Sequence, residues 1–458
     1  MLSETKKNPT SLFLSELFKR LNEEKITYCV LRNYETLPET VGNDVDIWVR
    51  DGEQKRFEEA LFKVARDYEF ALVSRIPRFG FKCDIFLSSK NTHPIEIIHI
   101  DYWWQFCWRN LSWIDTKTLE KSIILSEKGF FIPSPGVEAS TLLLQNVLYY
   151  GKVKKKYKNR IITLANEDSK AFFEAILKPF GDKTAKLVLV AAMNGNWSDL
   201  ETIHRLLRLT ILKNGLLQNP LLQFRRWLIY ISGQLKDLIL HNRGLFIVLI
   251  GPDGSGKSTT CNNLMESEIK KLFQKKLYFH GHFPFLPELK SIVAFFKKNK
   301  NITVIPPEEN LPSDLKSLGI LRSMIYPIYY GFNYFIGHFL VWKERARGGL
   351  VVFDRYFYDY MMQRLYIKCP RSLLNLISKI IPQSDILIFL KNNPEIIYAR
   401  KPELSVEDIK RQSIICEDIT RRFKNSFVVD TSMSPDEVVK NIQQIIVNKI
   451  REKQKVNP

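Results

Sequence analysis

The sequence predicts an α/β protein whose C-terminal part is a five-stranded parallel sheet with helices on both faces. Three observations carry this prediction. From Gly244 onward, short apolar runs alternate with helical stretches, as in folds that repeat a strand-helix unit. A glycine-rich pattern of the phosphate-binding type directly follows the first of these runs. A smaller α/β pattern occurs near the N-terminus. Between it and the C-terminal part, apolar residues recur only at the spacing typical of helices.

At 458 residues the chain is too long for one ordinary hydrophobic core. We predict a small α/β domain at 1–120, a helical domain at 121–243 and a phosphate-binding α/β domain at 244–458. The first domain is expected to have helices at 11–24 and 53–67 and strands at 27–32, 44–49, 70–75, 79–87 and 95–101. The third is expected to have strands at 245–250, 276–279, 350–353, 386–390 and 427–429, with helices at 259–273 and 435–452.

The net charge of +19 predicts a surface that attracts anions, such as nucleotides, phosphorylated substrates, nucleic acid or acidic lipids. The densest basic run lies at 152–160. We favour a solvated face for it over a dedicated phosphate-binding or membrane-binding patch. Six scattered cysteines lack metal-binding spacing, which favours a reducing compartment and no zinc site. Residues 1–9 lack an apolar signal core, so a cytoplasmic location is expected, with peripheral contact at the inner membrane face as an open alternative.

The segment 323–342 contains no Asp, Glu, Lys or Arg over 20 residues, about the length that spans a bilayer. It also lies between two predicted strands of one sheet. A membrane span at this point would separate these strands, so a buried or interfacial helix is expected instead.

The pattern GxxxxGK[ST] is satisfied after the strand at 245–250 by Gly251-Pro252-Asp253-Gly254-Ser255-Gly256-Lys257-Ser258. Glycines let the backbone turn so that its N–H groups and the next helix N-terminus face a phosphate. Lys257 is expected to reach the β- and γ-phosphates of ATP, and the Ser258 hydroxyl to bind Mg²⁺. The predicted nucleotide-binding residues are Gly251, Asp253, Gly254, Ser255, Gly256, Lys257, Ser258 and Thr259.

Two later motifs indicate a kinase rather than another nucleotide-binding protein. Asp354 and Arg355 lie at the end of a predicted strand. Asp354 is expected to hold Mg²⁺ or accept a proton, and Arg355 is expected to bind an anionic group of the acceptor. Arg400 lies in a basic segment between two predicted helices, where it is expected to neutralise the transferring phosphoryl group, with Arg411 in support. His280 and His282 follow another predicted strand and are candidates for the acceptor site.

The motifs GPDGSGKST, FDRYFYD and ARKPELS together resemble the thymidylate-kinase-like domains of bacterial surface-polysaccharide gene clusters, over roughly Gly244 to the C-terminus. The resemblance implies that Asp253 contacts the acceptor sugar and that Arg355 contacts the acceptor phosphate. Asp359 and Tyr360 depart from the small residue and the Tyr-Gln pattern of thymidylate kinases. The N-terminal 240 residues have no counterpart there, so an acceptor other than dTMP is expected.

Carboxylates of the N-terminal domain form a second candidate site. Asp44 and Asp46 lie two apart on a predicted strand and therefore share one face, at a spacing suited to divalent metals. Asp101 is the preferred third carboxylate, with Asp84 as the alternative, because strand alternation turns Glu96 to the opposite face.

This N-terminal arrangement is similar to the nucleotidyltransferase fold, with Asn43 in place of the serine in a GSDxD-like motif. The resemblance implies a nucleotidyltransferase-like fold. The glycine-serine pair that precedes the acids in better-known members is missing here, so nucleotide binding and activity are left open.

Three functions are consistent with these patterns. The first is an ATP- and Mg²⁺-dependent kinase that acts on a small, anionic or glycan-linked acceptor in cell-surface polysaccharide synthesis. The second is a metal-dependent nucleotidyltransferase with a regulatory phosphate-binding domain. The third is a nucleotide-switched assembly protein at the membrane surface, which the intact Lys257, Ser258, Asp354 and Arg355 disfavour. No specific nucleic-acid partner is expected, and the oligomeric state is left open.

Overall fold

The computed structural model describes residues 8–78, 80–90, 95–218, 220–239, 244–287, 289, 319–363 and 366–456. The chain divides into two compact units, Met1–Lys236 with Gln454–Pro458, and Asp237–Lys453. This division keeps the predicted N-terminal and helical domains in one unit, and the predicted boundary at residue 120 therefore stays a prediction.

The first unit contains a five-stranded mixed sheet with two helices nearby. Its strands are β1 (Tyr28–Val30), β2 (Val45–Val49), β3 (Phe70–Arg78), β4 (Lys82–Ser89) and β5 (Ile97–Trp103), in the order β1-β2-β5-β4-β3. The helices are α1 (Pro9–Glu23) and α2 (Gln54–Asp67). Only β2 and β5 pair in parallel. Each predicted element of this region is present, although residue 79, where one predicted strand begins, lies outside the described residues.

The register of this sheet brings its acidic residues together. Asp46 on β2 is paired with Asp101 on β5, which is in turn paired with Asp84 on β4. All three side chains are buried. Strand pairing rather than sequence proximity therefore creates the acidic cluster of this unit.

The rest of the first unit is mainly helical, but its predicted helical domain at 121–243 begins with a hairpin. The hairpin consists of β8 (Ile123–Leu125) and β9 (Phe131–Pro133), after a short hairpin of β6 (Cys107–Trp108) and β7 (Leu111–Ser112) and the helix α3 (Thr116–Lys121). Gly129, with φ of 85°, supplies the left-handed residue that the β8–β9 turn needs. The helices that follow are α4 (Pro135–Tyr150), α5 (Lys158–Glu167), α6 (Ser169–Phe180), α7 (Asp182–Asn194), α8 (Trp197–Thr202), α9 (His204–Gln218) and α10 (Pro220–Ile239).

The second unit is built on the predicted five-stranded parallel sheet. Its strands are β10 (Leu245–Ile250), β11 (Lys276–His280), β12 (Leu350–Asp354), β13 (Ile386–Lys391) and β14 (Ser426–Asp430), in the order β11-β12-β10-β13-β14. All four pairings are parallel. Every residue of the central β10 is buried, as its uninterrupted apolar run predicts. Because β10 is central, the loop after it lies where ligands bind in open parallel sheets.

The helices of this unit include α11 (Lys257–Glu266), α12 (Ile320–Ala346), α13 (Asp359–Met362), α14 (Arg371–Ile380), α15 (Pro394–Arg400), α16 (Val406–Arg422) and α17 (Pro435–Val456). The predicted helix at 259–273 is interrupted, because Ser267 leaves the helical region with ψ of 174° and a 3₁₀ turn follows at Glu268–Leu272.

The uncharged segment 323–342 lies within α12 and has two unlike faces. Asn333, Tyr334 and Val341 are buried in the unit, whereas Phe332 and Phe339 are exposed. A helix with one buried face agrees with the expectation of a buried or interfacial helix, and contact with a membrane surface stays a prediction. None of the helices in the described parts of the chain combines the length and the apolarity that a membrane crossing requires.

Candidate nucleotide-binding site

The loop after β10 depends on glycine at three positions. Gly251, Gly254 and Gly256 have positive φ values of 153°, 88° and 94°. A Cβ atom on Gly251 would lie 2.7 Å from Oγ of Ser255 and 2.9 Å from the carbonyl oxygen of Leu390. Gly256 immediately precedes α11, whose first turn leaves backbone N–H groups available to a ligand. The loop therefore has the tight path that lets a phosphate approach the backbone.

Lys257 is held against this loop. Its side chain is buried, and Nζ donates hydrogen bonds to the carbonyl oxygens of Gly251 at 2.7 Å and Pro252 at 2.9 Å. Nζ also lies 3.6 Å from Oδ1 of Asp253. The ammonium group is thus positioned at the first turn of α11, where the sequence predicts a phosphate.

Ser258 and Asp354 are joined across two elements. The Ser258 hydroxyl on α11 donates a hydrogen bond to Oδ2 of Asp354 at the end of β12. The same oxygen lies 3.3 Å from the Tyr278 hydroxyl and 3.3 Å from Nδ1 of His280. Oδ1 of Asp354 is buried and has no hydrogen-bond partner within the described ranges. A hydroxyl beside a carboxylate with one free oxygen fits the oxygen ligands that Mg²⁺ prefers.

Arg355 follows β12 with an uncommon positive φ of 62° for a residue other than glycine. Its Nη2 donates a hydrogen bond to Oδ1 of Asp253 at 2.7 Å. The predicted acceptor-binding pair, Asp253 and Arg355, is therefore in direct contact, which the sequence distance of 102 residues does not reveal.

A cavity of about 570 Å³ lies over the loop. It is lined by Asp253, Gly254, Ser255, Gly256, Lys257, Ser258, Thr259, Thr260, Arg355, Arg400, Lys401, Thr431, Met433, Pro435 and Val438. The volume is in the range of small-molecule sites. Three of the predicted cations, Lys257, Arg355 and Arg400, thus reach one cavity from α11, the end of β12 and the end of α15. Asp354 borders this site through its hydrogen bond to Ser258.

Arg400 and Arg411 are separated by the structure. Both terminal nitrogens of Arg400 lie 3.5 Å from the carbonyl oxygen of Thr431 at the rim of the cavity. Arg411 lines a different cavity of about 240 Å³ and donates to Oδ1 of Asp408 at 2.7 Å and to the carbonyl oxygen of Met362 at 2.6 Å. The expectation that Arg411 supports Arg400 is therefore wrong, because α16 turns its guanidinium towards α13.

One part of the site was missed by sequence reasoning. The cavity is also lined by Thr431, Met433, Pro435 and Val438, which follow β14. The parallel topology alone could have indicated them, because the carboxyl ends of parallel strands lie at one edge. Asp359, which the sequence identified only as a departure from the thymidylate-kinase motif, is not among the residues that line this cavity.

Asp359 is a half-buried carboxyl group close to the loop charges. Its Oδ1 is shielded from solvent and has no hydrogen-bond partner among the residues that the structure describes. Burial raises its pKa to about 7. The positive charge of Lys257 opposes this shift, and the negative charge of Asp253 adds to it.

In the first unit, the structure brings together the predicted carboxylates. Oxygen atoms of Asp44, Asp46 and Asp101 lie within 4.8 Å of one another. The alternative carboxylate, Asp84, is bound by Arg78 at 2.8 Å, and Glu96, which strand alternation disfavours, accepts a hydrogen bond from Thr10.

Cationic side chains already contact two members of this cluster. Arg32 donates to both oxygens of Asp46, at 2.6 and 2.7 Å, and Lys82 lies 3.0 and 2.8 Å from the two oxygens of Asp101. Burial raises the pKa of Asp101 to about 6, against the opposing charge of Lys82, and burial also raises the pKa of Asp44. Magnesium binding at this cluster stays a prediction.

No protein-family model matches the chain, and no curated protein matches it. Among solved structures, a thymidylate kinase from Ehrlichia chaffeensis is similar over 44% of this chain and 98% of that chain, with 17% sequence identity and a TM-score of 0.29. A TM-score of this size carries no argument about function, and the site is characterised by its own geometry.

Proposed function

We propose that the second unit is a P-loop phosphotransferase that moves the γ-phosphoryl group of ATP to a small or glycan-linked acceptor. One observation carries the proposal: Lys257, Arg355 and Arg400 come from three separate elements and line the same cavity over the glycine-rich loop. A triphosphate and its transferring group carry several negative charges, and positioned cations are the main means by which kinases stabilise them.

Each group has a distinct role in this proposal. The loop backbone from Gly254 to Gly256 and the first turn of α11 bind the phosphates, and Lys257 neutralises the β- and γ-phosphates. Ser258 and Asp354 are the residues that would hold Mg²⁺. When bound, this ion supplies positive charge to the triphosphate.

The two arginines act on opposite sides of the transferred group. Arg400, at the rim beside Thr431, contacts the phosphoryl oxygens on the nucleotide side. Arg355, oriented by Asp253, faces the acceptor. Met433 and Val438 give the cavity an apolar surface that suits a nucleotide base.

The role in surface-polysaccharide synthesis rests on the motif resemblance alone. For this reason the acceptors to be assayed are sugars, sugar phosphates and oligosaccharides. The second candidate function is nucleotidyl transfer at Asp44, Asp46 and Asp101, and the 4.8 Å cluster supports it. Arg32 and Lys82 weigh against it, because they already balance Asp46 and Asp101. The membrane-surface switch is the weakest candidate, since a switch does not require the cationic cavity.

The test is phosphoryl transfer from ATP labelled at the γ-phosphate, with Mg²⁺ and the acceptor panel. Lys257→Ala is compared with Lys424→Ala, which removes an exposed lysine of the same unit. We expect Lys257→Ala to lower transfer at least ~100-fold and the control to retain it. Equal transfer by the two variants would contradict the proposal. A parallel assay with label at the α-phosphate, lost in Asp44→Asn, would instead support nucleotidyl transfer.

A further inference from the structure

One face of the helix α12 is built into the second unit. The ring of Tyr334 lies 4.6 Å from the ring of Tyr356, centre to centre, and Oδ1 of Asn333 accepts a hydrogen bond from the N–H of Phe283 at 3.1 Å. A Cβ atom on Gly337 would lie 2.1 Å from the ring of Phe283, so the helix and this ring are in close contact. These contacts fix α12 against the unit, and its opposite face is the one that a partner can reach.

The opposite face of α12 is exposed and apolar over most of the helix. Its side chains are spaced alternately three and four residues apart, which keeps them on one side of a helix. The exposed residues of this apolar face are Ile325, Ile328, Phe332, Phe335, Phe339 and Trp342. Phe339, for example, is 67% exposed. Six side chains of this size together expose on the order of several hundred Å² of apolar surface, and patches of that size commonly mark interaction sites.

The neighbouring helix α14 also carries exposed apolar side chains. The two helices are in contact, because Nε2 of His338 on α12 lies 2.7 Å from the carbonyl oxygen of Ile380 on α14. A Cβ atom on Gly331 would lie 2.6 Å from Cγ2 of Ile377, which shows how closely the two helices approach. Leu376 and Ile380 are exposed on α14. Exposed apolar side chains therefore occur on both of these packed helices.

The charges of these two helices have one sign. The sequence contains no Asp or Glu at 320–343, which covers most of α12, or at 360–384, which includes all of α14. The second of these segments carries Lys368, Arg371 and Lys379, and all three are exposed. The apolar face of α12 thus belongs to a part of the unit whose own segments supply cations and no carboxylate. Such a combination of aromatic, aliphatic and basic side chains is typical of helices that lie on anionic lipid surfaces.

This charge distribution disfavours a second copy of the chain as the partner of the apolar face. In a two-fold symmetric dimer, the same surface patch of both copies would meet. The lysines and the arginine of 360–384 would then approach their own counterparts, and neither segment offers a carboxylate to pair with them. Like charges brought together at an interface oppose association. A partner with negative charge and an apolar interior satisfies both the cations and the aromatic side chains.

We propose that the apolar face of α12 binds an anionic lipid surface. Phe332, Phe339 and Trp342 enter the boundary between headgroups and acyl chains, while Lys368 and Lys379 contact the negative headgroups. The opposite face of α12 keeps its contacts within the second unit, so the helix lies along the surface. This inference concerns where the protein docks, and it is independent of the proposed phosphoryl transfer.

The first experiment measures how much of the full chain sediments with lipid vesicles. Vesicles of phosphatidylcholine containing about 30% phosphatidylserine are compared with vesicles of phosphatidylcholine alone. We expect the wild type to bind the anionic vesicles at least ~10-fold more tightly than the neutral ones. Raising NaCl from about 0.1 to 0.5 M should weaken this binding, because salt screens the attraction between the cations and the headgroups. Absence of binding to the anionic vesicles would overturn the proposal.

The second experiment locates the binding surface with a matched pair of double variants. Phe332→Ser with Phe339→Ser removes two aromatic side chains from the apolar face of α12 and is expected to weaken binding to anionic vesicles at least ~10-fold. Leu217→Ser with Leu221→Ser removes two exposed apolar side chains from the first unit and is expected to keep wild-type binding. Wild-type binding by the first variant, or an equal loss in the second, would overturn the proposal.

A charge variant keeps the test valid even if the serine substitutions destabilise the fold. Lys368→Glu with Lys379→Glu changes only exposed side chains and is expected to abolish the preference for anionic vesicles, whereas Lys424→Glu should retain it. An unchanged preference in the lysine pair would overturn the proposal. Sedimentation equilibrium without lipid tests the second copy as partner. A wild-type dimer that Phe332→Ser with Phe339→Ser separates would show that the apolar face binds another copy and would also overturn the proposal.

Discussion

Arg355 donates a hydrogen bond from Nη2 to Oδ1 of Asp253 over 2.7 Å, and the same oxygen lies 3.6 Å from Nζ of Lys257. One loop carboxylate therefore contacts two of the cations that line the cavity. This contact connects the glycine-rich loop to the segment after β12. It also orients the Arg355 guanidinium.

The contact predicts that Asp253 and Arg355 act as a unit. Arg355→Ala is expected to lower phosphoryl transfer about 100-fold, and Asp253→Asn about 10-fold, because the second variant only misorients the arginine. The double variant is expected to be no slower than Arg355→Ala alone. Transfer from γ-labelled ATP is the measurement. Multiplicative losses in the double variant would show that the two residues act independently.

The path of the loop makes a prediction about stability. Gly251→Ala would place a Cβ atom 2.9 Å from the carbonyl oxygen of Leu390, at a positive φ that side chains avoid. We expect it to lower the free energy of unfolding by about 1–3 kcal/mol. Gly319→Ala is the control, because its Cβ atom would meet no atom of the described residues within 4 Å. Chemical denaturation monitored by circular dichroism is the measurement. Equal effects of the two variants on the free energy of unfolding would contradict the backbone path described for the loop at Gly251.

Asp359 predicts a pH dependence of stability. Its pKa is about 7 in the folded chain, against an ordinary value of 3.8. Between these values the unfolded chain has lost the proton that the folded chain retains, so this group's contribution to stability falls as pH rises from about 4 to 7. Asp359→Asn should therefore gain stability relative to the wild type over that range, on the order of a few kcal/mol, and the gain should stay constant above it. Thermal midpoints of the two proteins at intervals of pH test this, and a difference independent of pH would contradict it.

In the first unit, the ion pair between Arg32 and Asp46 predicts that replacing Arg32 lowers the stability strongly and that a second substitution at Asp46 restores much of it. Asp46 is 1% exposed, so Arg32→Met leaves a buried carboxylate without its cation and is expected to cost about 3–5 kcal/mol. Adding Asp46→Asn should restore much of that loss. Arg56→Met, at an exposed arginine, should cost less than about 1 kcal/mol in the same urea titration. Failure of the second substitution to restore stability would contradict a pairing role for Arg32.

The sheet of the second unit was predictable because its strands are nearly uninterrupted apolar runs. The run at 245–250 coincides with β10, and the predicted strand at 386–390 differs from β13 by one residue. The hairpin of β8 and β9 was missed, since its strands are only three residues long and the turn depends on the backbone at Gly129. Short strands of this kind are defined by pairing rather than by periodicity.

The candidate site was predictable where a motif fixes the backbone, as at Lys257 and Ser258. The exclusion of Arg411 was not predictable, because it depends on how α13 and α16 pack. Burial raises the pKa of Asp359, and no local sequence pattern records how deeply a side chain is buried.

Calorimetric titration of ATP into the full chain, with Mg²⁺ present, tests most directly whether the cavity binds a triphosphate. We predict saturable binding by the wild type and by Lys424→Ala, and binding at least about 10-fold weaker for Lys257→Ala, whose substitution removes a buried cation from the loop. The absence of saturable ATP binding by the wild type, or equal affinity for all three proteins, would contradict the account.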